Sequence, residues 1–350
     1  MAGPTILPFG DPGSGPGQAA IARGAALIAA GEVVAVPTET VYGLAADATR
    51  ADAVARIYAA KGRPSFNPLI VHVPDLAAAE ALAAFDADAR ALAAAFWPGP
   101  LTLVLPLRAD AGLAAAVTAG LTTVAIRVPA HRAMRALLAA TAAPLAAPSA
   151  NRSGAISPTT AAHVVASLGG AVPLIIDDGA CPQGVESTIV MGREVLRPGP
   201  ITADQVRTAL GNSPPILPGE GRGSVATNPK ERATLTTDDA KAGPRLAPGR
   251  KQQSLITAPG QLASHYAPSK PLRLNATDTD SDEHLIGFGP VAGDDTLSES
   301  GNLAEAAANL FAALHRADAS GAARIAVAPV PADGIGAAIN DRLRRAAHRD

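Results

Sequence analysis

A single cysteine, Cys181, is all the chain contains, which excludes an internal disulfide framework and any multi-cysteine metal site. Charge of one sign is equally scarce: 29 Lys plus Arg face 31 Asp plus Glu, a formal net charge of −2 over 350 residues. The broad positive field on which non-specific nucleic-acid binding relies is therefore missing, and any basic site has to be local. Long hydrophobic runs are absent too. The longest apolar stretch, around residues 136–148, is broken by Thr141 and Pro144 and is too short to span a bilayer. The Gly- and Pro-rich opening has no cationic start followed by an apolar run, so it does not read as a secretory signal. The expectation is a cytoplasmic chain with no membrane partner.

What is present is apolar material: 48% of the residues, enough at this length for two domains or for one domain with a long extension. A helical pattern from Gln18 to Gly31 leads into the apolar run Val33–Val36 and stops at Pro37. The helix pattern Ala51–Ala60 likewise precedes a strand pattern at Pro68–Val73. Further strand-like runs lie at Leu101–Leu105, Val124–Val128 and Pro173–Ile176, with helical stretches at Asp86–Ala95 and His131–Ala140 between them. Residues 12–211 thus read as one α/β domain. From Asn212 to Gly260 Pro, Gly, Ser, Thr and mixed charges replace the periodicity, which is the composition of a partly disordered linker extending over 212–267. Strand and helix patterns return at Leu285–Gly289, Asn302–Ala317, Arg324–Ala328 and Gly336–Ala347, making residues 268–350 a small α/β domain. The arginines near the end of that last helix suit its dipole.

Five segments concentrate polar chemistry. In Pro37–Leu44, hydroxyls, a carboxylate and a glycine gather where a strand ends, the place where open α/β sheets bind ligands; Thr38 or Thr40 capping the next helix is the other reading. In Lys61–His72, two cations two residues apart beside Gly and Pro can point into one cleft and hold a polyphosphate, or can be ordinary surface charges. His72 itself is either a ligand contact or a core histidine. In Thr122–Pro129, Arg127 shares a strand face with Thr123 and Ala125. A buried guanidinium needs an internal acid or a substrate carboxylate. Ala147–Thr159 is dense in hydroxyls and amides, able either to coordinate a polar ligand or to form a turn and helix cap. Gly184–Val190 leads on to Arg197, which could pair with Glu186 at the surface.

Taken in this order, PTETVYGL (37–44), KGRPSFNPLIVH (61–72), TVAIRVP (123–129), APSANRSG (147–154) and GVESTIV (184–190) resemble the family of threonylcarbamoyl-adenylate synthases, the YrdC-like family. The C-terminal extension, announced by His265-Tyr266-Ala267-Pro268, resembles its longer, two-domain branch. Gln261–Ser264 stands where many relatives carry basic residues before that pair. The resemblance implies an α/β fold with a twisted mixed sheet and flanking helices, followed by a small Rossmann-like domain. It also implies a reaction of L-threonine, bicarbonate and ATP to threonylcarbamoyl-AMP and pyrophosphate, for the N6-threonylcarbamoyladenosine modification of tRNA.

By the same resemblance Lys61 and Arg63 neutralise phosphate charge together with Mg²⁺ as catalytic residues. Arg63, Asn67, Thr123, Asn151, Thr159 and Arg197 hold the nucleotide, and Tyr266, with His265, folds over it as a lid. Thr40, His72, Arg127, Ser149 and Ser187 hold threonine. No protein-bound metal is expected. The implied partner is a tRNA-modifying threonylcarbamoyl transferase that receives the product, with direct tRNA binding weak or absent. Two other readings stay open: an RNA-binding module without catalysis, and a carbamoyl-transfer maturation protein, for which the zinc-finger-like cysteines are missing.

Overall fold

The computed structural model describes residues 3–10, 15–211 and 265–348. Most of the expected linker, residues 212–264, lies outside the described residues. The larger sheet has ten strands: β1 (Thr5–Pro8), β2 (Val34–Pro37), β3 (Tyr42–Asp47), β4 (Ile70–His72), β5 (Leu101–Pro106), β6 (Thr123–Arg127), β7 (Leu145–Ala146), β8 (Leu174–Asp177), β9 (Thr188–Met191) and β10 (Glu194–Arg197). Their spatial order is β1-β8-β2-β3-β7-β4-β6-β5-β9-β10. The pairing is mixed: β1/β8, β2/β8, β4/β6 and β5/β9 are parallel, while β2/β3, β3/β7, β4/β7, β5/β6 and β9/β10 are antiparallel.

Helices cover both faces of this sheet, and the period of two along each strand divides the core accordingly. Val34 and Val36 of β2 pack with α1 (Gly15–Ala29), while Val33 and Ala35 point the other way, toward α2 (Ala51–Lys61). The second side also receives α3 (Leu76–Leu82), α4 (Ala87–Phe96) and α5 (Ala115–Thr118). Helix α6 (Arg132–Thr141) joins α1, and α7 (Ala161–Leu168) and α8 (Ala203–Ala209) join α2. Strand β2 is buried along its whole length, which is why its sequence is continuously apolar instead of alternating.

A second sheet is built from β11 (Leu272–Leu274), β12 (Glu283–Gly287), β13 (Asp295–Thr296) and β14 (Arg324–Val327), in the order β11-β14-β12-β13 and parallel throughout. Between β13 and β14 runs α9 (Leu303–Ala319), and α10 (Gly336–Ala347) follows β14. Asn302 caps α9 by accepting from the amides of Ala304 and Glu305. The core of this smaller unit does not stop at its own sequence. Val41, Ile156 and Val185 of the larger unit, with Tyr266, belong to the same buried cluster as Phe311, Leu314 and Ile339.

The structure departs from the sequence reading at particular places. Strand β1 joins the larger sheet ahead of the boundary expected at residue 12. Strand β3 occupies a stretch read only as a polar strand end, because Gly43, Ala45 and Ala46 offer neither alternation nor β-branched residues. Thr38 and Thr40 cap no helix, since a strand follows them.

Candidate active site

Parallel pairing of β4 with β6 sets His72 directly beside Arg127 at the carboxyl ends of both strands. This is where an open α/β sheet leaves its backbone free for ligands. The turn before β3 closes over the same spot. Thr38 Oγ1 accepts from the amides of Thr40 and Val41 and donates to the Val41 carbonyl, while its contact with Thr40 Oγ1 is 2.8 Å. That local network fixes the Thr40 hydroxyl to accept from Arg127 Nη1 at 2.9 Å.

Arg127, 3% exposed, has the internal acid that its burial demanded: Nη2 lies 2.7 Å from Glu39 Oε1. Burial works against the Glu39 carboxylate, but the Arg127 charge and the amides of Ala130 and His131 outweigh it and hold the carboxyl below its ordinary range. The Nη2–Oε1 contact is close without being aligned as a hydrogen bond, so both atoms keep unused hydrogen-bonding capacity. Arg127 Nε donates to Gly99 O at 3.2 Å. His72 is 3% exposed, and burial and then the Arg127 charge push it down to about 3, so it is neutral at physiological pH.

Gly62 ends α2 in the left-handed conformation, φ 58°, which glycine adopts without a Cβ clash. The chain then reverses, and Arg63 reaches across its own loop. Its guanidinium donates to Asn67 Oδ1 and Pro68 O, both at 2.7 Å, and to Asn67 O at 3.1 Å. Burial lowers Arg63 to about 10, which leaves it cationic at neutral pH. From the β9–β10 hairpin, Arg197 donates to the carbonyl and hydroxyl of Ser187, and that hydroxyl also meets Thr102 Oγ1 at 2.7 Å.

These side chains surround one cavity of about 50 Å³. Thr40, Arg63, His72, Arg127, Ser149, Ser187, Arg197 and Tyr266 all line it, together with Thr38, Glu186, His265 and the apolar Val41, Ile70 and Ala147. Among the described residues, buried polar atoms without a hydrogen-bond partner lie around it: His72 Nδ1, His265 Nδ1 and the Tyr266 hydroxyl. Native proteins satisfy such atoms almost everywhere else, so a cavity lined by them is suited to a polar ligand.

Five of the expected residues do not line the cavity. The Lys61 ammonium donates to the carbonyls of Ser149 and Asn151 at 2.6 and 2.5 Å, and burial, followed by the Arg63 charge, holds its pKa well below the ordinary value. The two cations of this segment thus do not open into one cleft: Lys61 pins the wall from behind, and Arg63 faces the ligand space. Asn67 orients Arg63. Asn151 bonds the Arg152 and Ala155 carbonyls. Thr159 contacts His163, and Thr123 opens β6, at the far end of the strand from Arg127. Glu186 makes no surface pair with Arg197; its carboxylate is buried and bound by Arg342 and Ser157. Tyr266 and His265 are buried, with Tyr266 at φ 64° and its ring 5.6 Å from that of Phe311.

Two family models match the chain: Sua5_yciO_yrdC, described as "Telomere recombination", over residues 26–199, and "Threonylcarbamoyl-AMP synthase, C-terminal domain" over residues 201–348. A threonylcarbamoyl-AMP synthase of Bacillus subtilis (strain 168) is 39% identical, with 93% of this chain and 92% of that protein covered. The chain belongs to the threonylcarbamoyl-AMP synthase family. The synthase of Pyrococcus abyssi (strain GE5 / Orsay) is 36% identical over 92% of each chain. The crystal structure of P. abyssi Sua5 complexed with L-threonine is 34% identical with a TM-score of 0.79, covering 98% of this chain and 97% of that one. Two residues that brace this site, Glu39 and Arg342, are not singled out by the sequence. Glu39 carries a signal, an acid between two threonines at a strand end, whereas Arg342 carries none.

Proposed function

We propose that the chain is an L-threonylcarbamoyladenylate synthase, joining L-threonine, bicarbonate and ATP into threonylcarbamoyl-AMP, with pyrophosphate and water released. The observation that carries the reading is the convergence of three arginines, Arg63, Arg127 and Arg197, on one cavity that also presents hydroxyls and unpartnered polar atoms. Guanidinium groups suit carboxylate and phosphate, the anionic parts of these substrates.

In this reading Arg127 receives the threonine carboxylate, helped by Thr40, His72, Ser149 and Ser187, and Ile70 and Val41 offer apolar surface to the methyl group. The threonine amine takes up bicarbonate with loss of water, and an oxygen of the resulting carbamate attacks the α-phosphorus in line as pyrophosphate leaves. No protein nucleophile takes part. Rate comes from positioning and from charge neutralisation by Arg63 and Arg197, with Lys61 adding to the positive field from behind the wall. Asn67 and Asn151 hold that wall in shape, Thr123 and Thr159 bound the nucleotide end more distantly, and Tyr266 covers the nucleotide and keeps water from the adenylate.

Magnesium enters with ATP on its phosphates. The lining carboxylate, Glu186, is already bound by Arg342 and Ser157, and the described residues include no group of three or more His, Cys, Asp or Glu that could cage a metal. This suits an ion held mainly by phosphates and water. A hydrolysable mixed anhydride calls for a transferase that consumes it, here one acting on tRNA in the cytoplasm. The test is pyrophosphate release by purified protein with ATP, Mg²⁺, bicarbonate and L-threonine, leaving out one at a time. Release needs all four; release without threonine ends the reading, and salt-sensitive tRNA binding without release favours the RNA-binding module instead.

A further inference from the structure

The small domain lends the cavity a side chain that never touches the ligand space. Arg342, on α10, is fully buried. Its Nε donates to Glu186 Oε2 at 2.9 Å and its Nη1 to Pro198 O at 2.7 Å. Nη2 adds a longer contact to Glu186 O at 3.4 Å, and the guanidinium carbon lies 5.4 Å from the centre of the Tyr266 ring. Asp341 balances the charge through Nη1 at 2.9 Å.

Glu186 and Pro198 flank the two ends of the β9–β10 hairpin, so this one guanidinium ties the hairpin's base together. The next residue inward at each end, Ser187 and Arg197, faces the cavity. The base is tight: a Cβ on Gly199 would stand 2.4 Å from the Thr188 amide nitrogen. It is also pressed against the small domain, since a Cβ on Gly184 would meet Ala307 O of α9 at 2.3 Å. Glu186, held on its other oxygen by Ser157, cannot turn toward a ligand.

We propose that Arg342 is a positioning residue for the nucleotide half of the site: it fixes Arg197, Ser187 and Tyr266 in the geometry that receives the triphosphate, so the cavity is complete only when α10 is docked. This rests on the assignment of the cavity to ATP. Among the described residues, the Glu186 carboxylate and the Pro198 carbonyl are linked by this one guanidinium.

The experiment uses full-length protein and three variants: Arg342→Met, Arg342→Lys and, as a stability control in the small-domain core, Leu310→Ala. Thermal unfolding is measured alongside the Kd for α,β-methylene-ATP and the kcat and KM for ATP. Arg342→Met is expected to raise the analogue Kd and the ATP KM by about tenfold to a hundredfold, the scale of a small misplacement of binding groups, with a smaller loss in kcat. Arg342→Lys recovers part of this, because an ammonium can hold Glu186 but not also span to Pro198. Leu310→Ala lowers the melting temperature and leaves the Kd at the wild-type value. If Arg342→Met and Arg342→Lys both bind the analogue as wild type does, Arg342 is only a structural ion pair and the proposal is overturned. The same holds if Leu310→Ala raises the Kd as much. Should Arg342→Met not fold, Arg342→Lys decides alone. The two readings fail separately: wild type that binds no ATP analogue or releases no pyrophosphate sinks the assigned function, whereas variants that bind like wild type sink only the role of Arg342.

Discussion

Replacing Arg127 by methionine strips a buried acid of its countercharge. Glu39 is 6% exposed, and in the variant it keeps two backbone amide donors, from Ala130 and His131 at 3.2 Å each, but no cation. Breaking one side of a buried pair costs about 3–5 kcal/mol, because the stranded charge stays out of water. For a domain of this size each kcal/mol shifts the midpoint by about 2–4 °C, so the melting temperature should drop by about 6–20 °C. Adding Glu39→Gln removes the stranded charge and should return most of that loss, since replacing both partners of a buried pair is close to neutral.

Function separates from stability in the same pair. The double variant, though refolded, still lacks the guanidinium for a threonine carboxylate. Losing a buried charged partner for a ligand is worth about 2 kcal/mol or more, so the threonine KM should rise at least about thirtyfold. Circular dichroism melts and pyrophosphate release against threonine concentration read the two effects. An unchanged threonine KM in the double variant, or a melting loss in Arg127→Met that Glu39→Gln does not relieve, would refute the reasoning.

Lys61→Met leaves the Ser149 and Asn151 carbonyls without their donor, at about 1–3 kcal/mol for each buried group left unpaired; turnover should fall more than about tenfold, and a variant with normal kcat would remove Lys61 from the machinery. Tyr266→Phe deletes a buried hydroxyl that has no hydrogen-bond partner among the described residues, so the melting temperature should not fall, while ATP binding weakens by about two- to tenfold if the ligand satisfies that hydroxyl. His163 of α7 stacks on His315 of α9 with ring centres 3.9 Å apart. Burial first, then the His315 and Arg316 charges, push it down to about 4. Below about 6.5 the unfolded chain takes up a proton here that the folded chain refuses, so stability falls as pH drops from about 6.5 to about 4. His163→Gln should flatten that part of the melting-temperature profile, and a profile identical to wild type would contradict the assignment.

The sequence was most informative where one segment carries both the strand and the chemistry. Ile70–His72 and Thr123–Arg127 are apolar runs ending in a single polar residue, and their pairing sets those ends side by side. Eight expected site residues reach one cavity; for His72 and Arg127 the reason is that strand ends converge where the sheet is open. Lys61 was legible as a cation near the site but not as a pin behind it, because whether a side chain faces the ligand or the wall depends on the Ser149–Asn151 backbone, which is remote in sequence. The sequence offers Arg197 as a nearby partner for Glu186, yet the residue that binds it, Arg342, lies 156 residues away. The arginines of α10 read alike as cations suited to a helix end, while the fold buries Arg342 and leaves Arg344 exposed. Periodicity reports which face of a helix is apolar, not which charged residue another domain will bury.

The most direct test of a cavity that holds nucleotide and amino acid side by side uses ¹³C-bicarbonate with ATP, Mg²⁺ and L-threonine, followed by mass spectrometry of the nucleotide products. A threonylcarbamoyl-AMP species carrying one ¹³C, formed together with pyrophosphate and absent when threonine is omitted, is the predicted result. Pyrophosphate and AMP formed without any labelled adduct, at a rate indifferent to threonine, would contradict the account.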